Sequence, residues 1–122
     1  MHRRRFRSSM IERRMLKAGD LAFGLLPGAV TTKVRPGVVI SSDRYLAEHP
    51  DVVLGILTTQ IPRSPTSSDF VLDDWQFAGL HAMSCFRAYF VTVHRSNLTV
   101  FGKLSVRDWA RVQECVRSAI AV

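Results

Sequence analysis

A chain of 122 residues with 47% hydrophobic content is one domain by length, large enough to bury a core without disulfides, and it holds no apolar run near the roughly 20 residues of a membrane helix. Its net charge of +7 is uneven: residues 1–17 carry seven cations against the single anion Glu12, whereas residues 18–122 hold ten cations against nine anions. The chain therefore divides into a basic N-terminal arm, 1–17, of a kind that is often disordered and grips polyanions by releasing their counterions, and one nearly neutral domain, 18–122.

At the end of the arm, Met10 to Lys17 fits a short helical turn that Gly19-Asp20 stops. Leu21 to Leu26 reads as a first strand, Pro27-Gly28 as a turn and Ala29 to Val34 as a loop. A second strand is expected from Pro36 to Ser41, since a proline at the first position owes no hydrogen bond to a ladder. Ser42-Asp43 offers an N-cap for a short helix, Arg44 to Glu48, which His49-Pro50 ends because a residue before proline avoids the helical region. Val52 to Thr59 is a third strand, Pro62 to Ser68 a polar loop, and Asp69 to Leu72 a short fourth strand. Asp73 to Leu80 turns back toward the core, with Trp75 and Phe77 read as core residues.

Ser84 to Val93 alternates as a long strand, with Cys85, Arg87 and Tyr89 on one side and Phe86, Ala88 and Phe90 on the other. Asn97 to Phe101 makes one more short strand. Ser105 then caps the C-terminal helix, Asp108 completes an approximate capping box, and Trp109, Val112, Val116 and Ala119/Ile120 recur along one helical face. Many strands followed by one late helix point to a mainly β fold: a small, strongly bent antiparallel barrel with the helix packed on it.

Cys85 and Cys115 form no Cys-x-x-Cys pair and read as buried free thiols of a reducing, cytoplasmic compartment. His2, His49, His81 and His94 lack ligand spacing, so no metal or other cofactor is expected. Arg44 and Arg95 read as solvated.

The stretch from Lys33 to Thr59 organises the rest. Two β-branched runs stand on either side of a helical turn, with Arg35 just before the first and Thr58-Thr59 closing the second. If the two strands lie close in the sheet, Arg35 and Thr58 face one pocket. Taken alone, a strand-start arginine more often pairs with a carboxylate such as Asp20 or Asp43, and strand threonines need no further role.

A longer series carries more. Gly19-Asp20, Arg35-Pro36 opening Val38-Val39-Ile40, Ser42-Asp43, Leu57-Thr58-Thr59-Gln60, Asp74 to Leu80, Ser84, and Gly102-Lys103-Leu104-Ser105 follow one another in an order that resembles the MazF/PemK/Kid family of toxin–antitoxin endoribonucleases, over roughly residues 17–122. The resemblance implies a homodimeric barrel of the SH3-like kind shared with the gyrase poison CcdB. It also implies metal-independent cleavage of single-stranded RNA and neutralisation by a cognate antitoxin protein. The family's catalytic arginine falls on Arg35 and its catalytic threonine on Thr58, with Thr59 adjacent. Lys33 and Arg63 flank these segments as candidate RNA phosphate contacts, and Ser41 is a candidate lining residue of the same pocket. One departure stands out: where many members carry Gln-x-Arg-Thr in the long strand, this chain reads Tyr89-Phe90-Val91-Thr92, keeping the threonine and losing the RNA-holding arginine. The alternatives on the same fold are a non-catalytic CcdB-like poison, which lacks the Arg–Thr pocket, and a plain RNA-binding module.

Overall fold

A computed structural model describes residues 16–27 and 32–121. The arm expected over 1–17 and the helical turn at Met10 to Lys17 therefore lie outside the described residues but for Leu16 and Lys17, as do residues 29–31 of the loop expected at 29–34. The elements run β1 (Asp20–Pro27), β2 (Thr32–Val39), α1 (Asp43–Glu48), β3 (Asp51–Thr58), β4 (Asp69–Val71), β5 (Cys85–His94), β6 (Thr99–Lys103) and α2 (Val106–Ala119). The strands form one six-stranded antiparallel sheet in the order β4-β5-β3-β2-β1-β6. The expected architecture, mainly β with a C-terminal helix, is the one the chain adopts.

β2 begins four residues earlier than its pattern suggested. Thr32 to Val34 belong to the expected loop and Arg35 stands ahead of the expected strand, yet each of these residues pairs with β1, from Pro27↔Thr32 to Gly24↔Arg35. Arg35 thus lies inside a strand rather than ahead of one. Pro36 is tolerated within β2 because the ladder to β3 stops beside it, spanning only Gly37 to Val39.

Both faces of the sheet are covered, which is why β3 reads as an almost unbroken apolar run. One cluster gathers Leu21, Val38, Leu57, Leu72, Ala78, Phe86 and Leu104 under Val112 and Cys115 of α2. The second gathers Leu16, Leu26, Val39, Val52, Leu54, Ile56 and Val91 with Leu46 of α1. Alternation along β3 assigns Leu57 to the first face and Val52, Leu54 and Ile56 to the second. Trp109 packs on the first cluster as expected, and Cys115 joins Val112 as a buried residue of the helical face.

The two sheet edges, β4 and β6, are bridged by the turn 73–80. Gly102 lies so close to the Ala78 carbonyl that any Cβ there would collide with it. The first turn of α2 fastens this bridge. Ser105 is the N-cap, its hydroxyl accepting from the Asp108 N–H at 3.3 Å. Asp108 does not complete the expected box: its fully buried carboxylate accepts instead from the Asp73 and Asp74 N–H groups, at 3.1 and 2.8 Å. Asp74 in turn accepts from Ser105 at 2.6 Å and from Arg107 at 2.7 and 2.6 Å.

Two further side chains depart from expectation. Phe77 is 63% exposed, while its neighbour Trp75 packs on the first cluster. Arg95 is half-buried rather than solvated: Nη2 donates to the Leu46 and His49 carbonyls at 2.5 and 2.6 Å, and Nε to that of Pro50 at 3.3 Å. The cation thereby satisfies the carbonyls at the C-terminal end of α1, where the helix dipole is negative. Among the described residues no helix is long and apolar enough to cross a membrane, and no cluster of His, Cys, Asp and Glu suits a metal ion.

Candidate functional site

Register decides which side chains meet. β2 pairs with β3 as Val39↔Leu54, Val38↔Gly55 and Gly37↔Ile56. The same register carried two residues further brings Arg35 level with Thr58, two steps past the end of the ladder. Val39, Leu54 and Ile56 belong to the second cluster, so Arg35 and Thr58 share its face of the sheet. The buried part of that face ends at Ile56, which is 6% exposed. Arg35 and Thr58 stand just beyond it, both half-buried.

Continuing outward, Thr58 pairs with Cys85 of β5 and Cys85 with Val71 of β4, while Arg35 pairs with Gly24 of β1. One row across five strands therefore reads Gly24, Arg35, Thr58, Cys85, Val71. Two residues further along the strands, the parallel row reads Gly37, Ile56, Arg87, Asp69.

Each side chain has a distinct state. The Arg35 Nε is buried from solvent, while the residue as a whole is half-buried. The Thr58 hydroxyl accepts from the Gln60 N–H at 3.1 Å, which holds its rotamer at the end of β3 and leaves its own proton available for donation. Lys33 is exposed and, two residues before Arg35 on β2, shares its face. Thr59 is exposed on the bend that ends β3, and Arg63 is exposed five residues past Thr58. Ser41 is different: it is 6% exposed, and its hydroxyl accepts from the Val53 N–H at 3.1 Å. Its oxygen is engaged in joining the start of β3 to the segment after β2.

Cys85 adjoins Thr58 in the sheet but is fully buried, and burial, aided by the Asp69 carboxylate, pushes its thiol pKa up. A thiol so held is a poor nucleophile, and the row's chemistry rests on a guanidinium and a hydroxyl. Arg87 lies in the long strand but out of register with the missing RNA-holding arginine, so the sequence assigns it no role, and its ion-pair partner Asp69 carries no sequence signal. The alternation of Ser84 to Val93 did assign Arg87 to the side away from Phe86; only the register with β3 reveals which strand residues lie beside it.

The position equivalent to the family's missing arginine is accounted for by packing. Val91 is 8% exposed, pairs with Leu54 and belongs to the second cluster. A charge there would be buried among aliphatic side chains at a cost of several kcal/mol.

No family model matches the chain, and no curated protein matches it. Among solved structures, it is similar to an endoribonuclease in complex with its cognate antitoxin from a mycobacterial species, with a TM-score of 0.69 at 16% identity, covering 85% of this chain and 93% of that one. The Mycobacterium tuberculosis toxin MazF-mt6 follows with a TM-score of 0.66 at 16% identity, covering 82% and 94%. MazF in a MazE-MazF complex from Deinococcus radiodurans gives 0.65 at 16% identity, covering 85% and 94%. At such identities the shared property is the fold: this chain is built as MazF toxins are.

Proposed function

We propose that this chain is the toxin of a type II toxin–antitoxin pair, a metal-independent endoribonuclease that cuts single-stranded RNA. The observation that supports the reading is the β2–β3 register: extended two residues past its last pair, Gly37↔Ile56, it brings Arg35 and Thr58 level on one face just past the buried core. The likeness to solved toxin structures, two of them with antitoxins, supports the same reading at the level of the fold.

RNA supplies its own nucleophile. The ribose 2′-oxygen attacks the adjacent phosphorus, the 2′-O–P bond forms, and the P–O5′ bond breaks. The 2′-hydroxyl proton leaves and a proton reaches O5′, giving a 2′,3′-cyclic phosphate and a 5′-hydroxyl. The protein must stabilise the doubly charged phosphorane and protonate the leaving oxygen. A planar guanidinium matches two phosphoryl oxygens, which suits Arg35. The Thr58 hydroxyl, with its acceptor side held by Gln60, donates to a third oxygen as charge develops there. A guanidinium is a poor base, so the chemistry relies on positioning and charge more than on rapid proton abstraction. Lys33, Thr59 and Arg63, all exposed, are the contacts to flanking RNA in this reading, and the Ser41 hydroxyl is engaged by the Val53 N–H.

The partners of this reading are single-stranded RNA, a cognate antitoxin and a second copy of the chain, in the cytoplasm and without a membrane. An exposed apolar pair, Leu25 opposite Val34 at 65% and 67% exposure, supports a protein partner. In EDTA-containing buffer, Arg35→Ala and Thr58→Ala are each expected to lower cleavage of a mixed RNA pool by about 10²–10³-fold, with wild-type fragments carrying cyclic-phosphate and 5′-hydroxyl ends. Unchanged cleavage in either variant removes that residue from the mechanism, and 5′-phosphate ends remove the 2′-hydroxyl route. RNA binding without cleavage by the wild type leaves a binding module in place of the nuclease.

A further inference from the structure

We infer that Arg87 is a further RNA phosphate contact of this site, a second guanidinium on the face that carries Arg35 and Thr58. The nature of its ligand rests on the nuclease reading; the choice of residue rests on a separate observation, the pairing of β3 with β5.

That pairing is interrupted. Gly55 faces Phe90 and Ile56 faces Arg87, so Ala88 and Tyr89 are left out of the ladder. A one-residue bulge would reverse which side every later residue points to. Two residues preserve it. Val91 and Val93 therefore stay with Leu54 and Val52 in the second cluster, while Arg87 and Cys85, before the interruption, stay on the face of Ile56 and Thr58. Arg87 is the diagonal neighbour of Thr58, two residues beyond its direct partner Cys85, a separation of roughly 7–8 Å that a long side chain spans easily.

The local chemistry suits an anion. The Arg87 side chain is 58% exposed, so its guanidinium reaches solvent. Its ion pair is loose: Nε stands 3.6 Å from Asp69 Oδ1, beyond hydrogen-bond length. The other carboxylate oxygen of Asp69 is engaged by the Thr66 N–H and hydroxyl, at 3.2 and 3.0 Å. Asp69 thus orients the guanidinium from below, by charge, without occupying its fork. Further along the same strand, Val91 is buried and offers nothing to a ligand, so Arg87 is where β5 presents a cation to this face.

The test measures binding apart from cleavage. A single-stranded oligoribonucleotide with 2′-O-methyl riboses throughout lacks the attacking hydroxyl and serves as the probe, titrated by the full chain over a range of salt. Arg87→Ala is expected to weaken binding about tenfold, as loss of one charge-assisted hydrogen bond does, and to flatten the log–log salt dependence by about 0.7. Arg87→Lys should restore the salt slope and only part of the affinity, because the charge returns without the fork. Arg44→Ala, on α1 with an 88% exposed side chain, is expected to change neither. On cleavable RNA, Arg87→Ala should raise KM while leaving kcat within about twofold. Wild-type affinity and slope in Arg87→Ala overturn the inference, as does undetectable binding of the probe by the wild type. Absence of cleavage by the wild type overturns the nuclease reading alone; a flattened slope in Arg87→Ala would then stand as a polyanion contact on this face.

Discussion

Gly55 lies in the middle of β3, where a β-branched residue would ordinarily be favoured. A Cβ at this position would drive into the ring of Phe86, which is fully buried across the β3–β5 pairing. The glycine lets that ring lie flat over the strand and complete the first cluster. Gly55→Ala is therefore expected to cost about 1–3 kcal/mol through overpacking, read as a lower denaturant midpoint at unchanged slope. Phe86→Leu combined with Gly55→Ala should cost less than the two changes added, because the smaller side chain yields the space. Strict additivity would mean that the two positions do not compete for one volume. The same scale explains Val91: a residue enclosed by Leu54 and its neighbours is selected by volume, and an arginine there would lack water and partners alike.

At the scale of elements, α2 acts as the clasp of the sheet. Its first turn holds the 73–80 bridge through Asp108, Ser105 and Arg107. The Arg107 hydrogen bonds, then the Ser105 hydroxyl, bring the Asp74 carboxyl down from 3.8 to about 2. Because the folded value lies below the unfolded one, this contribution is fully present above the unfolded value of 3.8 and is lost as pH falls through about 2. Asp74→Asn is expected to be less stable than the parent at neutral pH, with the difference shrinking between pH 4 and pH 2 in denaturant titrations followed by circular dichroism. A difference that persists undiminished to pH 2 would mean that ionised Asp74 does not stabilise this clasp. Arg95 does comparable work for α1, a helix of six residues too short to hold itself, by closing its C-terminal carbonyls from the far side of β5.

At the scale of the whole molecule, the two faces of the paired strands β1 and β2 differ in character. Leu25 and Val34 share the alternation of Leu21 and Val38, on the side of the first cluster, but lie beyond its cover. Phe23, 39% exposed, packs against Phe101 beside them with ring centres 5.7 Å apart. Arg35 and Lys33 occupy the opposite face. A partner seated on Leu25 and Val34 therefore leaves the Arg35 row open. Under the proposed homodimer, Leu25→Asp with Val34→Asp is expected to give monomers in sedimentation velocity at concentrations where the parent sediments as a dimer. A monomeric parent, or a doubly substituted chain that still dimerises, would remove this strip from the subunit contact.

Local signals in the chain reached far. Apolar runs bounded by turn residues marked β1 and β3, alternation marked β5, and the serine ahead of an amphipathic run marked α2, because such signals depend on neighbours within a few residues. The order of Arg35-Pro36 and Leu57-Thr58-Thr59-Gln60 likewise pointed to the pair around which the site is proposed. What those signals could not carry was the alignment of one strand against another. Thr32 to Arg35 became strand because β1 pairs with them, Asp108 turned from its own helix end to a distant loop, and Phe77 was left exposed while Trp75 packed. The row joining Arg35, Thr58 and Cys85, and the two-residue interruption that keeps Arg87 beside it, exist only once strands far apart in the chain choose a register. That choice is made by the simultaneous packing of two hydrophobic clusters on opposite faces, and no stretch of sequence contains it alone.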